Sequence, residues 1–221
     1  MSLAAELRAA SADVWEAQHA HPFVRGIGDG TLDEERFRFY VRQDYRFLID
    51  YGRVLALGAA RAPRVAEMRR FAALAQSVLE TEMALHVGFA QRWGIAAEEL
   101  EAEPMAPATA AYTDFLLRTA TLGDYAELVA ALLPCMWGYA EIGERLAARG
   151  VPQHPGYAAW IATYADPEFQ ALAAWARELC DTAAGDAGAG VRGRMHAAFR
   201  TCSEHELAFW QAAWETDSVA P

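Results

Sequence analysis

The chain has 221 residues, 54% of them hydrophobic and 22% charged, enough to bury a large core and to leave apolar surface for a subunit contact. Its formal net charge of -11, from 30 acidic against 19 basic side chains, argues against nucleic acid and against an anionic membrane surface, both of which demand a basic face. Three cysteines, Cys135, Cys180 and Cys202, form neither a disulfide framework nor a CxxC-type zinc pattern. The first ten residues lack the apolar stretch of a signal peptide, and no run is apolar enough to span a membrane. The expected setting is a reducing cytoplasm, with Cys135 a free thiol.

The periodicity is helical nearly throughout, without strand-like alternation. Ser2 to Ala20 reads as a first helix, and His21 to Thr31, rich in glycine and proline, as a loop. Asp33 caps a long helix that ends near Arg61, ahead of Pro63. Pro63 or Arg64 opens another that runs to Trp93-Gly94. After a loop holding Pro104 and Pro107, a shorter helix covers Ala108 to Thr121. Asp124, with Glu127 at capping-box spacing, starts a central helix that stops at Arg149-Gly150. A short helix follows over Pro155 to Tyr164. Asp166-Pro167-Glu168 then starts another, reaching Thr182. Gly185 to Gly190 is a turn too short to be a domain linker, and a final helix covers Val191 to Trp214. The expectation is one all-α domain over residues 1–221.

Polar residues that fall on core-facing stripes mark the candidate site. Asp44 lies within Phe37, Val41, Phe47/Leu48, Tyr51 and Leu55. Glu206 lies within Met195, Phe199, Cys202, Phe209/Trp210 and Ala213. Glu82 and His86 lie on the stripe of the helix from Pro63. A buried, unpartnered carboxylate costs several kcal/mol, so such placements need a reason. One reason is structural: Asp44 or Glu82 pairing within a network, with Glu82 and His86 an ordinary i, i+4 pair. Cys180 and Cys202 read as small hydrophobes.

Cys135 has distinctive neighbours in Leu132-Leu133-Pro134-Cys135-Met136-Trp137-Gly138-Tyr139. Tyr139 lies one turn on, Gly138 leaves room beside the thiol, and Pro134 cannot donate a backbone hydrogen bond. A thiol beside a phenol and a buried acid has the parts of a nucleophile. Two other readings use the same residues. Glu82-x-x-x-His86 with Glu206 is a carboxylate–histidine set able to hold iron on a helical bundle. The pocket could also bind without chemistry, as in a regulator.

The segment Cys135-Met136-Trp137-Gly138-Tyr139-Ala140-Glu141-Ile142-Gly143 resembles the core motif of the TenA-type thiaminase II family, in its cysteine-containing branch. Gln43-Asp44-Tyr45-Arg46-Phe47-Leu48, Tyr112-Thr113-Asp114-Phe115-Leu116, Trp160-Ile161-Ala162-Thr163-Tyr164 and Glu206-Leu207-Ala208-Phe209-Trp210 agree, so the resemblance spans essentially the whole chain. It implies a heme-oxygenase-like helical bundle without heme, needing no cofactor and no metal, assembled as a homotetramer. It implies hydrolysis of 4-amino-5-aminomethyl-2-methylpyrimidine to the 5-hydroxymethyl product and ammonia in thiamin salvage, with cleavage of thiamin as a related activity. On that resemblance Cys135 adds to the pyrimidine ring and Glu206 bonds the ring edge and shuttles protons. Asp44 and Tyr112 hold ring nitrogens and the 4-amino group, Tyr139 orients Cys135, and Phe47, Tyr164 and Phe209 pack on the flat ring.

Overall fold

The computed structural model describes residues 2–185 and 187–216. Twelve α-helices and one π-helical turn follow one another, and among the described residues there is no strand. The helices are α1 (Leu3–Ala10), α2 (Ala12–Ala20), α3 (Pro22–Asp29), α4 (Glu34–Arg61), α5 (Val65–Ser77), α6 (Met83–Gln91), α7 (Ala97–Ala102), α8 (Pro107–Leu122), α9 (Tyr125–Ala147), α10 (Pro155–Ala165), α11 (Pro167–Ala184) and α12 (Ala189–Trp214). The all-α expectation holds.

The start signals work through their side chains. Asp33, Asp124 and Asp166 each accept backbone N–H bonds at the heads of α4, α9 and α11, at 2.8–2.9 Å for the shortest bond of each. α9 ends before Gly150, which takes a φ of 112° that only glycine adopts without strain. The expected turn at Gly185 to Gly190 falls between α11 and α12, with Asp186 outside the described residues.

Three segments depart from the sequence reading. The first helix is two, divided at Ser11, whose φ of -112° and ψ of 19° leave the helical region. The segment expected to be a loop between His21 and Thr31 is mostly helix. His21 caps it by accepting the Phe23 N–H at 3.2 Å, Pro22 fills the first turn, and Gly30, at φ 74°, ends it. Its glycines serve close packing: a Cβ on Gly26 would stand 3.1 Å from Leu32, and one on Gly28 2.7 Å from Leu146. The helix expected from Pro63 to Trp93 is interrupted by a π-helical turn, Val78–Glu82, between α5 and α6. The short α7 is absent from the sequence reading, because six residues give too little periodicity to detect.

α9 is the centre of the bundle. It packs against α12 on one side and α11 and α10 on others, while α4 lies across α5 and α8. Fifteen of its residues are buried, Pro134 among them, and the helix continues through that proline. Gly143 lets α10 approach: a Cβ there would sit 2.6 Å from the Tyr164 carbonyl carbon. That contact brings the C-terminal end of α10 against the same helix that carries Cys135.

Candidate active site

A cavity of about 440 Å³, including its open mouth, lies among α4, the π-helical turn, α9, α10 and α11. Asp44, Phe47 and Tyr51 line it from α4, at the three- and four-residue spacing that puts them on one face. Cys135 and Tyr139 line it from α9, and Tyr164 from α10. Glu82 enters from the last residue of the π-helical turn. Such a turn carries one extra residue per cycle and re-aims the side chains after it, which is why these bulges recur at functional sites. Leu55, Leu74, Val78 and Leu172 make the rest of the wall apolar.

The polar groups form two connected sets. In the first, Tyr40 donates to Asp44 Oδ2 at 3.1 Å, and His86 Nε2 meets the same oxygen at 2.6 Å. The other ring nitrogen, Nδ1, bonds the Glu82 carbonyl at 2.8 Å, and Trp160 Nε1–H donates to Tyr40 at 3.1 Å. Burial pushes the His86 pKa down, but the charge and hydrogen bond of Asp44 outweigh it and the net shift is upward. In the second, Tyr112 donates to Glu206 Oε1 at 2.7 Å, with both side chains buried. Burial pushes Glu206 up to about 8; the Tyr112 bond opposes this and the Asp44 charge adds to it. Glu82 accepts from the Tyr164 hydroxyl at 3.2 Å. Burial, then the charge of Asp44, raises it to about 7, against His86 and the Tyr164 bond.

Cys135 therefore sits among three carboxylates. Burial and then Glu206, Glu82 and Asp44 hold its pKa well above the usual thiol value, and the Tyr51 hydroxyl works in the opposite sense. At rest it is a protonated thiol, and it becomes a nucleophile only as its proton leaves. The Tyr51 hydroxyl is buried on the cavity wall beside the thiol and makes no hydrogen bond among the described residues.

Asp44, Phe47, Cys135, Tyr139 and Tyr164, singled out from the sequence, are brought together on the cavity wall. Glu206 stands just behind it, close enough to act on the thiol. Phe209 backs Phe47 at 6.2 Å between ring centres, and Tyr112 tilts against Phe47 at 5.0 Å. Two expected roles change. Tyr51, not Tyr139, is the phenol on the thiol; Tyr139 instead packs its ring 4.8 Å from Tyr164 and turns its hydroxyl to Tyr40. Tyr112 spends its proton on Glu206, so it positions that carboxyl. Gly138 does not open space in the cavity: a Cβ there would touch only Gln18, at 3.9 Å. Cys202 is fully buried on the α12 stripe and Cys180 equally so on α11, as small hydrophobes.

Glu82 and His86 are not a side-chain pair. His86 belongs to Asp44, and Glu82 faces the cavity. Both ring nitrogens of His86 are occupied, so it has no lone pair for iron, and the Glu82–His86–Glu206 set does not fit a metal. Among the described residues, the group of potential ligand atoms lying within 4.8 Å of one another is Glu16, His19 and Glu141. Glu16 and Glu141 are instead tied to Arg8 and Arg145, and His19 bonds Glu141 at 3.1 Å.

Tyr51 and Tyr40 are site residues that sequence reasoning missed, and Glu82, marked on its stripe, reads there with His86 as a structural pair or as part of an iron-holding set. Tyr51 and Glu82 lay on core-facing stripes, but periodicity marks a buried face without saying which neighbour it meets.

The family model described as TENA/THI-4/PQQC family matches residues 8–216 of the chain. The chain belongs to that family. It is 42% identical over 217 residues to an aminopyrimidine aminohydrolase of Halalkalibacterium halodurans, covering 97% of this chain and 96% of that one. A solved TenA homologue from P. horikoshii OT3 superposes with a TM-score of 0.90 at 31% identity, covering 97% and 99% of the two chains. At 12% identity, a Shewanella denitrificans domain with a heme oxygenase-like fold still superposes with a TM-score of 0.76 over 97% of this chain and 93% of that one, which identifies the bundle type.

Proposed function

We propose that this protein is an aminopyrimidine aminohydrolase acting in thiamin salvage. It converts 4-amino-5-aminomethyl-2-methylpyrimidine and water to the 5-hydroxymethyl pyrimidine and ammonia. The observation that carries the reading is Cys135, half-buried in a cavity with aromatic and aliphatic walls, with the carboxyl groups of Asp44 and Glu82 on its lining and that of Glu206 behind it. A pyrimidine is a flat apolar ring with hydrogen-bonding edges, and that cavity offers both surfaces.

The Cys135 sulfur adds to a ring carbon while its proton moves to a ring nitrogen. The added bond breaks the aromaticity, and the C–N bond to the exocyclic carbon then cleaves with its electron pair leaving on ammonia. Water adds to the exocyclic methylene. The carbon–sulfur bond finally breaks, the ring regains its aromaticity and the proton returns to sulfur. Glu206, protonated in neutral solution and held by Tyr112, relays that proton: it gives its own to the ring nitrogen and takes the one the thiol loses. Asp44, in its ion pair with His86, accepts from the ring amino group. Phe47 and Tyr164 flank the ring, and Phe209 supports Phe47. Thiamin offers the same ring with a different leaving group, so its cleavage is a related activity of this cavity.

The remaining features follow from the same reading: one catalytic domain, no cofactor, and a cytoplasmic homotetramer. Among the described residues no helix is long and apolar enough to cross a membrane. Val65, Met68 and Leu79 are exposed apolar side chains on α5 and the π-helical turn, a surface suited to a subunit contact.

Release of ammonia from the aminopyrimidine tests the proposal. Cys135→Ala should abolish turnover and still bind the ring. Product formation by that variant at close to the wild-type rate would overturn it.

A further inference from the structure

We propose that Glu82 is a second catalytic carboxyl, which hands a proton to the departing amine and then takes one from the attacking water. This rests on the aminohydrolase reading and adds a residue to it. Glu206 is set behind the wall and bound by Tyr112, whereas Glu82 opens directly onto the cavity with one hydrogen bond to spend, from Tyr164. Among the described residues no lysine or arginine lines the cavity, and His86, the cation that faces Glu82, is bonded to Asp44. The groups that face Glu82 are Asp44 and Tyr51 from α4, His86 from α6, Cys135 from α9 and Tyr164 from α10.

The chemistry divides between two positions on the substrate. A ring nitrogen must be protonated as sulfur adds, and the exocyclic nitrogen must be protonated to leave as ammonia. One buried carboxyl cannot reach both at once. In the expulsion step the carboxyl proton of Glu82 goes to the amine, the C–N bond breaks with its pair on nitrogen, and the dearomatised ring supplies the electrons of the new exocyclic double bond. The ring adduct is then cationic and Glu82 is its counter-ion. When water adds to the methylene, the proton it loses returns to Glu82, and the adduct is again neutral. Atoms and charge balance with water as the added reactant. With a pKa raised to about 7, Glu82 is poised to give and take a proton in neutral solution.

The test is Glu82→Gln, which keeps the acceptor for Tyr164, measured beside Glu82→Asp. Ammonia release should fall by about 100-fold or more in Glu82→Gln, with part of the rate restored in Glu82→Asp. Affinity for the aminopyrimidine, measured on the Cys135→Ala background with and without Glu82→Gln, should change only a few-fold. Thiazole leaves thiamin as a neutral group without a proton transfer, so in Glu82→Gln thiamin cleavage loses only the base for the water step and should fall by a clearly smaller factor than ammonia release. A wild-type rate in Glu82→Gln, a loss confined to KM, or an equal loss on both substrates would overturn the assignment. Failure of the wild type itself to release ammonia would overturn the aminohydrolase reading instead.

Discussion

Replacing Glu206 by glutamine should stabilise the protein in alkaline solution while abolishing turnover. Glu206 is 2% exposed, and its pKa rises from 4.5 to about 8 on folding. The sign follows from proton binding. Between those two values the folded protein holds a proton that the unfolded chain has lost, so stability falls as pH rises through this window. Below it both states are protonated and the carboxyl has no effect. Above it the full penalty for an ionised buried carboxylate is present. At 1.36 kcal/mol per unit the penalty is about 5 kcal/mol, or roughly 10–20 °C in Tm for a chain of this size. Glutamine does not titrate and still offers a carbonyl to the Tyr112 hydroxyl. Urea or thermal unfolding of both proteins should therefore give similar stabilities near about pH 5 and a gap of several kcal/mol, in favour of Glu206→Gln, near about pH 9. A difference that stays constant across that range would refute the placement of Glu206 as a buried acid held neutral. A gap of the opposite sign would show that Glu206 is paired with a cation in the folded protein.

Gly143→Ala places a methyl group 2.6 Å from the Tyr164 carbonyl carbon and 2.8 Å from the Ala165 nitrogen, where the obstacle is backbone and cannot swing aside. The strain should cost about 1–3 kcal/mol, more than the roughly 1 kcal/mol that alanine gains in a helix, and it should raise KM by displacing Tyr164; a higher Tm would contradict the packing of α10 on α9. Tyr51→Phe removes the hydroxyl that opposes the upward shift of the Cys135 pKa. Its kcat should drop about tenfold while the unfolding midpoint changes little, because the hydroxyl makes no hydrogen bond among the described residues. Unchanged alkylation kinetics of Cys135 across pH in Tyr51→Phe would remove Tyr51 from the site.

Much of the architecture is already dictated locally. Asp33, Asp124 and Asp166 begin helices because a short carboxylate satisfies backbone N–H groups that have no partner in the first turn. The placement of Asp44, Cys135 and Glu206 on apolar stripes, together with their family resemblance, marked the site before any contact was known. The short α3 escaped notice because glycine and proline signal a turn in isolation. Only the partners Leu32 and Leu146 show that Gly26 and Gly28 serve packing.

What the tertiary structure alone decides is which polar group meets which. Periodicity assigns a residue to a face; the crossing of α4, α9 and α10 and the π-helical turn before α6 assign its neighbour. That is why His86 belongs to Asp44 across two helices rather than to Glu82 one turn away. It is also why the thiol meets Tyr51 of α4 instead of Tyr139 of its own helix, and why Glu82 faces the cavity. A helical repeat of 3.6 residues is a local property of the chain, but a hydrogen bond between helices depends on how their side chains interlock, which no single segment encodes.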